Sequence, residues 1–495
     1  MLPLWLLPAL PVITALLVIL LPAKHTKFVS LAGTILQMMA VALLTVSFAE
    51  QRREGNSSLF LFDEKIEWFS SWNASLHFGV DGISVAMILL TSLVVTAGIL
   101  VSWNIEKQGK EFFILLLLLA SGAYGFFISL DLFTLFCFLE IAVIPKFMLI
   151  GIWGSGNKNY SANKLALMLM AGSALILVGI LFMYYQMPIG KRSFDFVTIL
   201  SNPLPLQSQL ILFPLVFVGF GIFTAIFPFH TWVPDGHSSA PTAGSMFLAG
   251  ISMKLGGYGC LRVATTLMPE AAQHYSIVIV ILAAIAIVYG AFATMMQTDL
   301  KYINAYSSIS HCGFVLLGIG MLTKSGINGA VFQMVSHGLM TALFFAVIGM
   351  MYARTHTRKV SEMGGLLKTI PFISAAMFIA GLCSLGLPGL SGFPAEMTVF
   401  MGGWERPETI YRVVTVLACM SIVITAVYIL RAIGSTVMGP VKNREFEELP
   451  KAMWNEKLAA VILIAGIVIM GVLPFVLYKL VNPATQEIIK QMATG

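Results

Sequence analysis

Roughly 20 apolar residues in a row are enough to carry a helix across a bilayer, and this chain contains about fourteen such runs. They fall near 2–22, 28–49, 80–102, 111–130, 132–153, 162–186, 209–229, 241–266, 274–295, 301–322, 327–353, 370–401, 410–437 and 458–481. None shows the period-two alternation of a membrane barrel strand, so each reads as a helix. Only 11% of the residues are charged, against about 25% in soluble domains, too few to keep a soluble surface wet. The longest polar connections, 51–78, 187–208 and 438–457, are too short to bury a core of their own. The expected fold is an all-α polytopic membrane protein.

A formal net charge of +6 is modest, and nothing in it points to nucleic acid. The placement of basic residues says more, because they accumulate in cytoplasmic loops. With the N-terminus outside, the inward loops collect Lys24, Lys27, Lys107, Lys110, Lys158, Arg354, Arg358, Lys359 and the basic residues of 442–457. An even number of spans then leaves both termini outside. The first apolar run has no basic residue before it and reads as a retained span, not a cleaved leader. Cys137, Cys260, Cys312, Cys383 and Cys419 stand singly in apolar runs and read as small core hydrophobes, with no metal or iron–sulfur pattern.

Two runs are interrupted. Phe227-Pro-Phe-His-Thr-Trp-Val-Pro-Asp-Gly-His-Ser-Ser-Ala-Pro241 joins one run to the next, and Gly386-Leu-Pro-Gly-Leu-Ser-Gly-Phe-Pro394 falls in the middle of another. Proline removes a backbone donor and clashes with the preceding turn. Backbone freed at membrane depth must be buried in protein or line a wet cavity. Two such breaks, each flanked by ionisable groups, are the pattern of paired discontinuous helices in an internal repeat.

Ionisable side chains inside apolar runs are costly and mark pathways. Glu140, Lys254 and Glu396 lie deep within their runs, and His311 and His337 add two groups that titrate near neutral pH. A lone buried histidine is usually just hydrogen-bonded. A Glu, Lys, His, His, Glu row over successive helices instead reads as a proton relay. Lys146 and Lys164 are ambiguous, since long stems near helix ends can snorkel. His230 and His237 bracket Asp235 at a spacing that fits no zinc site and read as polar lining of the break. No nucleotide-binding fingerprint or nucleophile elbow is present. The residues alone therefore describe a transporter-like membrane protein for protons or small cations, without redox chemistry of its own.

The stretch Phe229-His-Thr-Trp-Val-Pro-Asp-Gly-His-Ser-Ser-Ala-Pro-Thr-Ala-Gly-Ser245 resembles the hallmark P-L-H-x-W-L-P-D-A-H-x-x-A-P of the antiporter-like subunits of respiratory complex I. Leu248-Ala-Gly-Ile-Ser-Met-Lys-Leu-Gly-Gly-Tyr-Gly-Cys-Leu-Arg262 follows in register, with Asp299-Leu-Lys-Tyr-Ile-Asn-Ala-Tyr-Ser-Ser-Ile-Ser-His311 and Gly386-Leu-Pro-Gly-Leu-Ser-Gly392 beyond it. Over nearly its whole length the chain is similar to the subunit M family, the mitochondrial subunit 4 type, itself related to Mrp cation/proton antiporter subunits.

The resemblance implies about fourteen helices in one antiporter-like domain. N-terminal helices would occupy about 1–108, two inverted five-helix repeats 109–268 and 269–440 with their seventh and twelfth helices broken, and a last helix 441–495. It implies proton translocation in a bacterial inner membrane, driven by quinone reduction in a neighbouring arm. Quinone, iron–sulfur clusters and FMN would sit in partner subunits, with sister subunits of the L and N types and small membrane subunits alongside. Glu140 resembles the family's fifth-helix glutamate, Lys254 its central lysine and Glu396 its exit residue, with His311 and His337 at relay positions. Glu396, where sister pumps carry lysine, argues for the M type.

One position departs from the family. The lysine expected seven residues before His230 is Phe223, and the run 215–229 contains no lysine. Lys146 is the candidate substitute, with Lys164 next. Two alternatives remain open on the sequence: a subunit of an Mrp-type antiporter that works without a redox arm, and a structural spacer with impaired pumping. The electron donor, NADH or another reduced carrier, is not legible.

Overall fold

The computed structural model describes residues 3–494. Met1, Leu2 and Gly495 lie outside them, and with them the first residue of the expected span 2–22. Helices α1 (Leu6–Leu20) and α2 (Thr26–Arg53) lead into an antiparallel hairpin, β1 (Leu61–Phe69) and β2 (Ala74–Val80). Next come α3 (Gly82–Val101), α4 (Gly109–Ile128), α5 (Leu132–Trp153), α6 (Lys158–Gln186), the short α7 (Phe196–Ser201) and α8 (Leu206–Thr224). Then α9 (Trp232–Ser239), α10 (Thr242–Phe247) and α11 (Met253–Gly259) follow, with α11 set between the π-helical turns Leu248–Ser252 and Cys260–Thr265. After them run α12 (Pro269–Met295), α13 (Leu300–Met321), α14 (Lys324–Thr355), α15 (Leu366–Thr369) and α16 (Pro371–Ser384). The last four are α17 (Gly392–Trp404), α18 (Thr409–Val437), α19 (Trp454–Val472) and α20 (Pro474–Thr494).

Among the described residues, 10 helices are long and apolar enough to cross a membrane. The other expected crossings are helical but shorter, as α1 and α16 are, or interrupted, or carry more polar side chains, as α13 does. Aspartates explain why neighbouring helices can follow with almost no loop. Asp131 accepts from the backbone N–H groups of Phe133 and Thr134 at 3.0 Å each, so α5 starts with two of its free donors already satisfied. Asp81, Asp195 and Asp299 cap α3, α7 and α13 in the same way, at 2.9, 2.7 and 2.8 Å.

Both expected breaks are present. Ala225 turns left-handed (φ 68°) and ends α8, and the Trp232 indole N–H then donates to the Ile222 carbonyl at 2.9 Å. In the second break, Gly386 (φ 72°) and Gly389 (φ 93°) separate α16 from α17. A Cβ on Gly386 would lie 2.6 Å from Oε2 of Glu396, so glycine is what lets that carboxylate fold back onto the break.

Three features differ from the expectation. The connection 51–78 holds the hairpin, whose alternation is broken by register shifts between Leu61 and Glu64 and between Glu67 and Phe69. Irregularities of that kind erase the period-two signal. The last run, expected at 458–481, is cut between Leu473 and Pro474, where proline ends α19 and opens the amphipathic α20. Of the cysteines, Cys260, Cys312 and Cys383 are buried as expected, but Cys137 is half-buried and Cys419 is exposed. Those two lie on the more exposed helices α5 and α18, where an apolar run no longer means core.

The hairpin is tied down by one histidine. His77 meets Asp195 at 2.5 Å and Asp63 at 3.1 Å. Burial works against its charged form, and the bonds to the two aspartates outweigh it, so its pKa is raised above 6.5. Burial likewise opposes ionisation of Asp195, but bonds from His77 and Thr198 carry it down to about 2. The raised histidine stabilises fully below 6.5, and that contribution disappears as pH climbs through its folded value. The aspartate's share is complete above 3.8 and is lost as pH falls through about 2. Hydrogen-exchange protection of residues 61–80 should therefore fall between pH 6.5 and alkaline pH. In a His77→Gln variant that pH dependence should vanish; if it persists unchanged, the histidine is not the lock.

Candidate functional site

Lys254 stands on α11, buried, with a π-helical turn on either side. The turn Leu248–Ser252 widens the helix, and the Lys254 ammonium donates to the Ala249 carbonyl there. A Cβ at Gly256 would come 2.5 Å from the Phe220 carbonyl, so α8 passes this segment at backbone distance and fixes its position.

From Lys254 a line of polar contacts leads away through three helices. Its Nζ lies 2.8 Å from Nδ1 of His337 on α14. The His337 ring stacks on His311 of α13 with centroids 5.3 Å apart. His311 in turn places Nδ1 3.6 Å from Oε1 of Glu396 on α17 and Nε2 3.0 Å from the Ser384 hydroxyl at the end of α16. All four titratable groups are buried. Four of the five expected relay residues thus form one continuous file, ending at the second helix break.

Glu140 is the exception. It is partly buried on α5, its Oε1 has no hydrogen-bond partner, and no contact joins it to Lys254. Lys146, on the same helix, is buried with its Nζ likewise unpartnered, lying over the Phe223 ring at 5.8 Å. Lys164 of α6 pairs with Asp235 of α9 at 2.7 Å, both partly exposed. Beside the first break His230 stacks on Phe227 at 5.4 Å and meets Tyr289 edge-on at 4.8 Å. His237 is buried against Phe345 at 5.2 Å, and neither of its ring nitrogens has a hydrogen-bond partner.

Two further polar residues escaped the sequence reading. Lys301, buried at the start of α13, donates to the Ala240 carbonyl at 2.6 Å and so holds the end of the first broken helix. Gln333 donates to His311 Nδ1 at 3.1 Å, the same nitrogen that faces Glu396. Lys301 lies at the first residue of the expected span 301–322, where sequence does not separate a buried lysine from one at the membrane surface. Gln333 lies one turn before His337 and is uncharged, so the cost of burying a charge does not mark it in the sequence. Among the described residues no cluster of three or more His, Cys, Asp or Glu side chains is placed to hold a metal.

A family model described as "NADH:quinone oxidoreductase/Mrp antiporter, TM" matches residues 129–425. The chain belongs to this NADH:quinone oxidoreductase/Mrp antiporter family. The matched stretch of the family runs from just before α5 into α18 and contains every residue of the file as well as Glu140, Lys146 and both breaks. The chain is 34% identical to NADH-quinone oxidoreductase subunit M of Rickettsia bellii over 476 residues, 94% of each. It is 39% identical to NAD(P)H-quinone oxidoreductase chain 4 3 of Picosynechococcus over 425 residues, 85% of this chain and 77% of the relative. Its fold matches a chain of respiratory complex I from Thermus thermophilus with a TM-score of 0.90 and 25% identity, covering 99% of both.

Proposed function

We propose that the chain is a proton-translocating membrane subunit of a quinone-reducing complex, coupling electron transfer from NADH or another donor to proton movement. It contributes to the enzyme without a redox centre of its own; quinone, iron–sulfur clusters and FMN would belong to partner subunits. The partners would be sister antiporter-like subunits of the L and N types and small membrane subunits. Its place would be a bacterial inner membrane, with both termini outside. The two breaks would occupy matching positions in inverted repeats at 109–268 and 269–440.

The observation that carries this reading is the file Lys254, His337, His311, Glu396. An amine, two imidazoles and a carboxylate in sequence can each hold or release a proton, and burial shields the file from leakage. Glu140 would load the path, with Lys146, Lys164, His230 and His237 on its approach. The names of the relatives at 34% and 39% identity favour a quinone-linked complex over a free-standing antiporter.

Purification in mild detergent should bring down quinone-reducing subunits with this chain; sodium-dependent antiport by assemblies lacking them would favour the antiporter reading instead. In the reconstituted complex, Glu140→Gln and Glu396→Gln are each expected to lower the number of protons moved per electron. An unchanged ratio in both variants would leave the chain a spacer.

A further inference from the structure

We propose that the cleft where α12 and α18 end is a binding site for an anionic phospholipid, its phosphate headgroup held between Arg431 and Lys442. Such a site is separate from the proton path and stands whether or not protons pass through the chain.

The cleft encloses about 300 Å³. Part of its wall is apolar, with Met295 at the end of α12, Ile303 of α13, Val360 and Ala432 of α18. The rest includes Arg431 near the end of α18, Lys442 just beyond it, and Ser435. No Asp or Glu lines it among the described residues. Both cations are tethered by backbone carbonyls, not by carboxylates. Nη2 of Arg431 donates to the carbonyls of Met295 and, at 3.3 Å, of Gln297, at the negative end of the α12 dipole. Its Nε and Nη1 are left for a ligand. Lys442 donates to the Ser361 carbonyl at 3.3 Å, and an ammonium has further protons to offer. Two like charges on one small cleft repel each other. An anion set between them removes that cost, and a phosphate presents the paired oxygens that a guanidinium fork fits.

The surface leading into the cleft decides for a lipid over a free anion. Helices α12 and α18 are both long and apolar enough to cross a membrane, and they pack side by side. Phe292, one turn before Met296, is exposed, as are Val427 and Leu430 just before Arg431. Met296 itself lines the cleft and is 74% exposed. A headgroup in the cleft lays its acyl chains along these side chains, so one molecule matches both the charges and the apolar surface. Basic pockets between membrane helices on the cytoplasmic side bind anionic headgroups in this way. Arg358 and Lys359 directly precede Val360, so the leaflet is the inner one under the orientation proposed above.

The test uses the intact complex in nanodiscs of phosphatidylcholine that contain a little phosphatidylglycerol with a photoreactive group near its headgroup. After illumination, peptides covering 292–303 and 427–442 are analysed for the label by mass spectrometry. They are expected to carry it, and unlabelled phosphatidylglycerol should displace it where inorganic phosphate does not. Arg431→Gln with Lys442→Gln should weaken binding about 30-fold, or about 2 kcal/mol for two basic residues beside an anionic headgroup. Arg431 also holds the end of α12, so that variant could fail to assemble. In that case Ser435→Glu decides, because it keeps both cations, adds a carboxylate to the wall and is expected to cut labelling as well. Equal labelling by photoreactive phosphatidylcholine, or undiminished labelling in either assembled variant, overturns the site. Displacement by inorganic phosphate would make it a small-anion site and overturn the lipid. An assembled wild-type complex without label would have the cleft covered by a partner subunit, which overturns the proposal equally.

Discussion

Replacing Lys254 by Met is expected to stop proton flux through this chain. The substitution keeps the length of an unbranched side chain but removes the ammonium that joins the Ala249 carbonyl to Nδ1 of His337. His337 has no other polar partner at Nε2, so the file is cut at its first link. Loss of a positioned proton-transfer group typically costs about 10²–10⁴ in rate, and flux through the chain should fall by at least the lower figure. The protons moved per electron by the intact complex would drop by this chain's whole share. Lys254→Arg separates charge from exchange, because guanidinium does not release its proton near neutral pH. It should keep the fold and still fail to restore the ratio. A normal ratio in either variant would show that protons do not pass through the amine.

Asp81→Asn is expected to give the largest loss of stability. Asp81 and Arg262 form an ion pair with both side chains buried, 0% and 4% exposed. Arg262 also donates to the Tyr258 hydroxyl at 3.4 Å, and Tyr258 meets Ser84 at 2.9 Å. Removing one partner of a buried pair leaves a stranded charge and costs about 3–5 kcal/mol. Asparagine still caps the first turn of α3 as an acceptor, so the loss isolates the charge. The purified complex should release this chain at a lower temperature, seen by native electrophoresis after heating. Adding Arg262→Met to Asp81→Asn removes the stranded cation and should recover most of the loss. If the single variant melts like the wild type, the pair contributes nothing that neutral contacts do not.

Much of this was written in the chain in plain terms. The crossings were visible because backbone polar groups cannot go unpaired in lipid, which forces long apolar helices. The breaks were visible because proline and glycine act locally, and residues 225–231 and 386–391 interrupt helices as their sequence implies. Lys254, His311, His337 and Glu396 could be singled out because a charged or titratable group is expensive at that depth. The hairpin was not legible, since its bulges destroy the alternation that reveals strands. Gln333 and Lys301 were not legible as site residues, since one is uncharged and the other lies at the edge of its apolar run, although they donate hydrogen bonds to His311 and to the Ala240 carbonyl.

Sequence by itself determined the class of fold, the positions of the breaks and which side chains would be costly to bury. Those are one-dimensional quantities, set by hydropathy, local backbone chemistry and residue type. Only the tertiary structure decided which of those side chains touch. His337 and His311 stack, and His311 reaches Glu396 across from α13 to α17, through contacts between residues up to 85 positions apart that no local rule specifies. The same holds for Lys146, whose Nζ comes to lie over the Phe223 ring of a helix distant in sequence. Side-chain encounters between helices are fixed by crossing angle and rotation about each axis, and those emerge only when all the helices are packed together.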